Sequence, residues 1–343
     1  MVRWLVVAVG LCSAGLPGFP RAAEAGEGGG GTLSLLVDND WFHDKRKDGQ
    51  YSSGVQLNWQ SAGGDVPRWL DPVARRLARF DEGDTTPGWG LALGQNIYTP
   101  DNTFWVPPDP RDRPYAGWLY GAVNVALRSA ERVTSVELQV GVVGPWALGR
   151  EAQNVWHDLV GERRARGWAY QLRDEPGVNV VVTRLARFRW LTPGDRHSRL
   201  AADAIPSVTV SAGNVQTFLG TGLLLRVGTN LAADFGPAMI RPSASGAGSR
   251  TGGGGRGWYV FAGVEGRAVA RDIFLDGNTF RSGPGVERKP FVGDLRVGFS
   301  LVFRRFGLTY SHGVRTREHA GQADSFQFGS VIVSVRTGGR SAL

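Results

Sequence analysis

The sequence predicts an all-β fold, a twelve-stranded antiparallel transmembrane β-barrel with a short helix in an extracellular loop. Three observations predict it. Apolar and polar residues alternate with a period of two over many segments of about ten residues, the pattern of a strand with one lipid face and one lumen face. After the N-terminal region no apolar run reaches the roughly 20 residues of a membrane helix. The composition, with 50 glycines and 10% aromatic residues in 343, is unlike that of a helical enzyme.

The elements follow in order. Residues 1–25 carry one early charge, Arg3, then an apolar run from Trp4 to Leu16 and small residues Ala23 and Ala25. This is the pattern of a secretory signal peptide cleaved near Ala25, leaving one domain, residues 26–343. The apolar run is too short for a spanning anchor. Cys12, the single cysteine, leaves with the signal, so thiol, disulfide and cysteine-metal chemistry are excluded from the mature chain. Strands are expected near 32–40, 50–60, 88–97, 115–128, 133–143, 175–189, 199–213, 216–230, 257–271, 291–303, 305–315 and 325–337. Val55, Leu57 and Trp59 alternate with Gly54, Gln56 and Asn58. Val136, Leu138, Val140 and Val142 alternate with Glu137, Gln139 and Gly141, and Leu295 to Phe303 repeats the pattern. Trp89, Tyr115, Trp118, Trp258 and Tyr259, near strand ends, are expected to form interfacial aromatic belts. Ser129–Arg132 reads as a periplasmic turn; residues 61–87, 98–114, 144–174, 232–256 and 272–290 read as outer loops.

The net charge of +8 and pI near 10.1 suit contact with phosphates of lipopolysaccharide or acidic lipids. Export removes nucleic acid as a partner. Within 144–174 the two-residue period lapses from Glu151 to Arg164, where Val155, Trp156, Leu159 and Val160 cluster at helical spacing. Gln153 and His157 stand four apart on one face of that helix. Near the first strand end lie Asn39, Asp40 and Ser52. If Leu35 and Val37 face lipid, Asp40 faces inward, Ser52 does so by its phase against Val55, and Asn39 has the opposite parity.

These blocks can be taken together: Asn39-Asp40, Tyr51-Ser52-Ser53-Gly54, Gly94 through Pro100, Asp112-Arg113-Pro114-Tyr115-Ala116-Gly117-Trp118, Gln153 with His157, and Gly167-Trp168 through Gln171-Leu172 to Glu175-Pro176-Gly177. In this order and over nearly the whole mature chain, the set resembles the outer-membrane lipid A 3′-O-deacylase family. The resemblance implies a monomeric twelve-stranded barrel in the bacterial outer membrane. Its site would face the extracellular leaflet and hydrolyse the 3′-linked acyloxyacyl ester of lipid A with Ca²⁺. It implies His157 as general base, Gln153 orienting the histidine, water or substrate, and Asn39, Asp40 and Ser52 in a calcium and oxyanion cluster. Glu162 and Glu175 compete for a further acidic position at the metal. The lysine of relatives has no counterpart in the third-strand block, where Gln95, Asn96 or an arginine would substitute. The alternatives are a porin-like barrel with a positively charged lumen and an outer-membrane phospholipase or other lipid A deacylase.

Overall fold

The computed structural model describes residues 30–39, 50–64, 66–81, 83–191, 200–237 and 255–337. Asp40 and residues 1–25 lie outside them. The strands are β1 (Gly31–Asn39), β2 (Gln50–Ser61), β3 (Thr86–Thr99), β4 (Ala116–Arg128), β5 (Arg132–Val143), β6 (Glu175–Ala186), β7 (Phe188–Leu191), β8 (Ala201–Gly213), β9 (Gln216–Gly228), β10 (Gly257–Asp272), β11 (Phe291–Val302), β12 (Phe306–Arg315) and β13 (Phe326–Thr337). β6 and β7 are successive parts of one strand interrupted at Arg187, since both pair with β8. The barrel therefore has the expected twelve strands, all antiparallel, and the β1–β13 and β6–β8 pairings close it. Closure removes the sheet edges that a bilayer cannot solvate.

Alternation sorts the side chains. In β6, Asn179, Val181, Thr183 and Leu185 are buried towards the lumen while Val178, Val180 and Val182 are exposed outward. Leu138, Val140, Leu223, Val264, Leu295 and Val297 continue this apolar outer band. The belt residues divide by the same rule. Trp258 faces outward, and Trp89 packs edge-on against Trp59 at 4.9 Å. Tyr115, Trp118 and Tyr259 do not join the belt, because each is at most 2% exposed. Trp118 and Tyr259 fall on the lumen phase of their strands, and Tyr115 precedes β4 in a packed loop cluster.

The lumen is filled. At the end where β3 finishes, Tyr98 stacks on Phe274 at 4.0 Å, and Trp118, Phe326 and Phe328 share their cluster. Phe274 belongs to the short helix Ile273–Asp276, which turns into the barrel with its first three residues buried. Below it Asp294 accepts from Arg315 at 2.7 Å and Arg267 at 3.0 Å. Towards the other end Arg226 donates to Asp203 at 2.9 and 2.6 Å and to Asp234 at 2.6 Å. Pairing of this kind is the condition on which charge can be buried.

Strand direction corrects two loop assignments. Residues 62–85 and 229–256 join strands at the same barrel end as the turn after Arg128, not at the end that carries 144–174. Each antiparallel strand reverses direction, so strand parity fixes the side and loop length does not. The first of these segments also holds a helix, α1 (Asp71–Ala78); its Ala74 and the capping Leu70 pack on outward Val123, Val125 and Trp89. The loops 100–115, 144–174, 273–290 and 316–325 share the opposite end.

Candidate functional site

The outward phase of four neighbouring strands defines a row at this end: Asn39 pairs with Ser53, Ser53 with Ile97 and Ile97 with Gly117. Over it lies the second helix, α2 (Gly149–Val160), which contacts β3 and β4. Gly117 permits the approach, since a Cβ there would meet Ala147 Cβ at 3.0 Å and Gly149 Cα at 3.3 Å. Gln95, also outward, donates its amide to the Ala147 carbonyl at 2.6 Å and fixes the turn before the helix. Gln95 is thereby engaged in anchoring α2, while Asn96 is buried on the lumen phase.

The specific block around Tyr115 acts as scaffold. Tyr115 donates to the Thr103 carbonyl at 3.1 Å, its carbonyl accepts from Leu172 N at 2.9 Å, and its ring lies 5.0 Å from Trp168. Ile97, Tyr115 and Trp168 form one buried cluster that Ala152 of α2 joins. Arg113, 1% exposed, reaches Glu318 at 3.0 Å and ties loop 100–115 to loop 316–325. Sequence reasoning did not single out Trp168, Arg113 or Glu318 individually. The run Gly167-Trp168 was a signal for the first, and nothing local marks Glu318.

The buried face of α2 is Gly149, Gln153 and His157, spaced one turn apart. Trp168 Nε1 donates to Gln153 Oε1 at 2.6 Å, which sets the orientation of that amide. Gly161 ends the helix at φ 75°, where a glycine avoids the Cβ clash, and its N–H caps the His157 carbonyl. The chain then doubles back so that the Arg163 carbonyl sits 2.7 Å from His157 Nδ1. A carbonyl only accepts, so Nδ1 carries the proton and Nε2 is the basic nitrogen of the neutral ring. The other face of α2 exposes Val155 and Leu159, with Leu148 and Trp146 beside its start. Phe104, with Arg163 5.3 Å over its ring, leads into exposed Trp105 and Val106.

The remaining expected site residues separate. Asn39 is 4% exposed and lies on the outward row, the parity opposite to that expected of Asp40. Ser52 does not continue the simple alternation. The register steps from Tyr51↔Tyr98 to Ser53↔Ile97, leaving Ser52 as the extra residue of a β-bulge. Glu162 is exposed just past α2. Glu175 is buried, and its carboxylate accepts from Asn278 Nδ2 at 3.0 Å and from Thr279 N at 3.0 and 2.9 Å. Glu175 therefore anchors loop 273–290. Among the described residues no three His, Cys, Asp or Glu side chains gather as a metal cluster. Asn39 at the end of the row and its sequence neighbour Asp40, which lies outside the described residues, fit calcium in donor chemistry, as amide and carboxylate oxygens.

No curated protein matches the chain. Among solved structures, LpxR from Salmonella typhimurium superposes with a TM-score of 0.72 at 20% identity, over 89% of this chain and 99% of that one. The β domain of the Bordetella autotransporter BrkA overlaps more loosely, with a TM-score of 0.44 at 10% identity over 90% and 98%. The first likeness establishes the barrel architecture. The family model described as outer membrane protein LpxR matches residues 5–337, all but the ends of the sequence, and the chain belongs to this family of outer membrane proteins.

Proposed function

We propose that the protein hydrolyses the 3′-linked acyloxyacyl ester of lipid A in the outer leaflet, with His157 as general base. The carrying observation is the tautomer set by Arg163: a histidine on a wall-facing helix with Nε2 as its basic nitrogen. In this reading α2 lies on the outer wall, so the substrate reaches it laterally from the membrane. Nε2 takes a proton from water as the water oxygen bonds to the ester carbonyl carbon. The carbonyl π pair moves to oxygen. On collapse the bond to the sugar oxygen breaks, and that oxygen takes the proton back from His157. Gln153, held by Trp168, positions the histidine or the substrate. Residues 39, 40 and 52 form the oxyanion side, with Asn39 and Asp40 holding calcium. When bound, calcium supplies Lewis-acid polarisation of the carbonyl. Export by a cleaved leader over residues 1–25 and a monomeric state belong to the same proposal.

The filled lumen disfavours a porin-like barrel. A phospholipase reading would use the same base on another acyl ester, so the substrate decides. The test is mass spectrometry of lipid A incubated in detergent with refolded protein, with Ca²⁺ or chelator, beside His157→Ala. The expected result is calcium-dependent loss of one acyloxyacyl unit, absent in the variant. Unchanged lipid A with hydrolysed phospholipid would transfer the reading to a phospholipase. Release that persists in the variant would remove His157 as base.

A further inference from the structure

The outer wall carries a second feature far from α2. A groove of ≈ 690 Å³ runs over β9, β10 and β11. Its floor is a row of small outward residues, Thr221 paired with Gly266 and Gly266 with Gly293. Towards the loops Leu219 and Phe291 flank the small Ala268, so the slot stays open along β10, and the next outward row towards the membrane centre is Leu223, Val264 and Leu295. Phe291 is 74% exposed, and a Cβ added at Gly266 would meet nothing within 4 Å. Two cations, Lys289 and Arg317, line the loop-side mouth. Neither is in a salt bridge among the described residues. Of the acids nearby, Asp294 and Glu318 are buried and paired with Arg315 and Arg113, while exposed Glu287 stands two residues before Lys289.

An apolar slot ending in two cations at the level where strands meet loops matches an acyl chain with an anionic head group. We propose that this groove is a lipid-binding site, holding an acyl chain over Gly266 and Gly293 and the lipid's phosphate between Lys289 and Arg317. Its nearest strands, β9 and β11, lie four and five strand steps from the β4 and β3 under α2 in the two directions around the barrel, so it is separate from the His157 site. The inference needs only a membrane-spanning barrel and stands apart from the hydrolase proposal.

The test is native mass spectrometry of the full barrel in neutral maltoside detergent, titrated with phosphatidylglycerol, diacylglycerol or inorganic phosphate. Wild type should retain one more phosphatidylglycerol than a K289E/R317E variant, whose affinity at that site should fall about tenfold or more. Gly266→Leu, which fills the slot without touching a neighbour at its Cβ, should lose the same lipid while keeping both cations. Diacylglycerol should bind more weakly, and millimolar phosphate should not displace the lipid. Equal retention by wild type and Gly266→Leu would overturn the proposal, as would displacement by phosphate alone. If the charge-reversed barrel fails to fold, Gly266→Leu still decides.

Discussion

His157 Nδ1 lies 2.7 Å from the carbonyl oxygen of Arg163, six residues on, across the turn made by Gly161. One backbone contact thus selects the ring tautomer and holds the ring against the barrel wall. His157→Ala should lower kcat by about 10²–10⁴ with the fold intact. Gly161→Ala has open space around its Cβ but a φ that disfavours any side chain, and costs about 1–2 kcal/mol in that conformation. Its expected effect is a fall in kcat larger than any change in KM, because the carbonyl moves while the lipid-facing surface stays. Kinetics with purified lipid A would check both. A loss confined to KM would mean that the Arg163 contact only shapes the binding surface.

Trp168 should act through Gln153. Trp168→Phe keeps the ring against Tyr115 and removes only the donor to Gln153 Oε1. A hydrogen bond worth about 1.4 kcal/mol corresponds to a tenfold change, so kcat should fall about tenfold with little change in thermal stability. If Gln153→Ala combined with Trp168→Phe is no worse than Gln153→Ala alone, the two work as one unit.

The outward face of α2 should govern substrate affinity. Val155 and Leu159 are more than half exposed on a helix that lies against the outer wall, where acyl chains are the neighbours. Val155→Glu with Leu159→Glu should raise KM for lipid A about tenfold and leave kcat nearly unchanged. The substitutions lie on the face away from the core, so a normal heat-modifiable band on electrophoresis should accompany the kinetic change.

The loop pair at the site end should loosen with acid in two stages. His319 is buried, and burial together with the Arg113 guanidinium holds its pKa at about 4. It is therefore neutral beside Asp112, 3.5 Å away. The unfolded loop binds a proton first, so this contribution to stability is full above about pH 6.5 and is lost as pH falls towards 4. Burial raises the Glu318 carboxyl, but Arg113, Arg315 and Arg267 outweigh it and keep the pKa below the usual value. Its contribution is present above about pH 4.3 and is lost only as pH falls further, through the folded value. Protease accessibility of loop 316–325 should rise in both windows, and His319→Asn should abolish the first alone.

How much of this could be read in advance depends on the range of the interaction. Strand positions follow from a period of two, which Val136 to Val142 displays within seven residues, and the α2 segment showed itself where that period lapsed. Alternation gave Asn39 the parity opposite to Asp40; Asn39 falls on the outward row beside Ser53, and Asp40 lies outside the described residues. At Ser52 the register steps across a bulge, which is a property of two strands and leaves no mark in one. Loop length suggested the wrong side for residues 61–87 and 232–256, where counting strand reversals gives the right one. Arg113 and Glu318 are 205 positions apart and meet only when the barrel closes, so neither announces the other. Glu175 was an acid in the right block, but its partners Asn278 and Thr279 come from a loop more than 100 residues away.

The barrel should carry no steady ion current, because its lumen is sealed twice in series. Near the site, Tyr98, Phe274, Trp118 and Phe328 pack across the interior. At the other end Arg226 bridges Asp203 and Asp234, while Leu231, Phe235 and Tyr259 close around them. Opening the first seal with Phe274→Ala and Phe328→Ala leaves the second in place, so planar-bilayer recordings of that variant should remain at baseline. Removing Arg226 alone leaves Asp203 to Arg187, 3.4 Å away, and Asp234 to Gly236 N and the Tyr259 hydroxyl; the broken buried pairs cost up to about 3–5 kcal/mol and should appear as lowered stability before any conductance. Current should require both changes together. A stable open channel in the wild-type protein would show that these groups part in the membrane, and would restore the pore reading that their packing opposes.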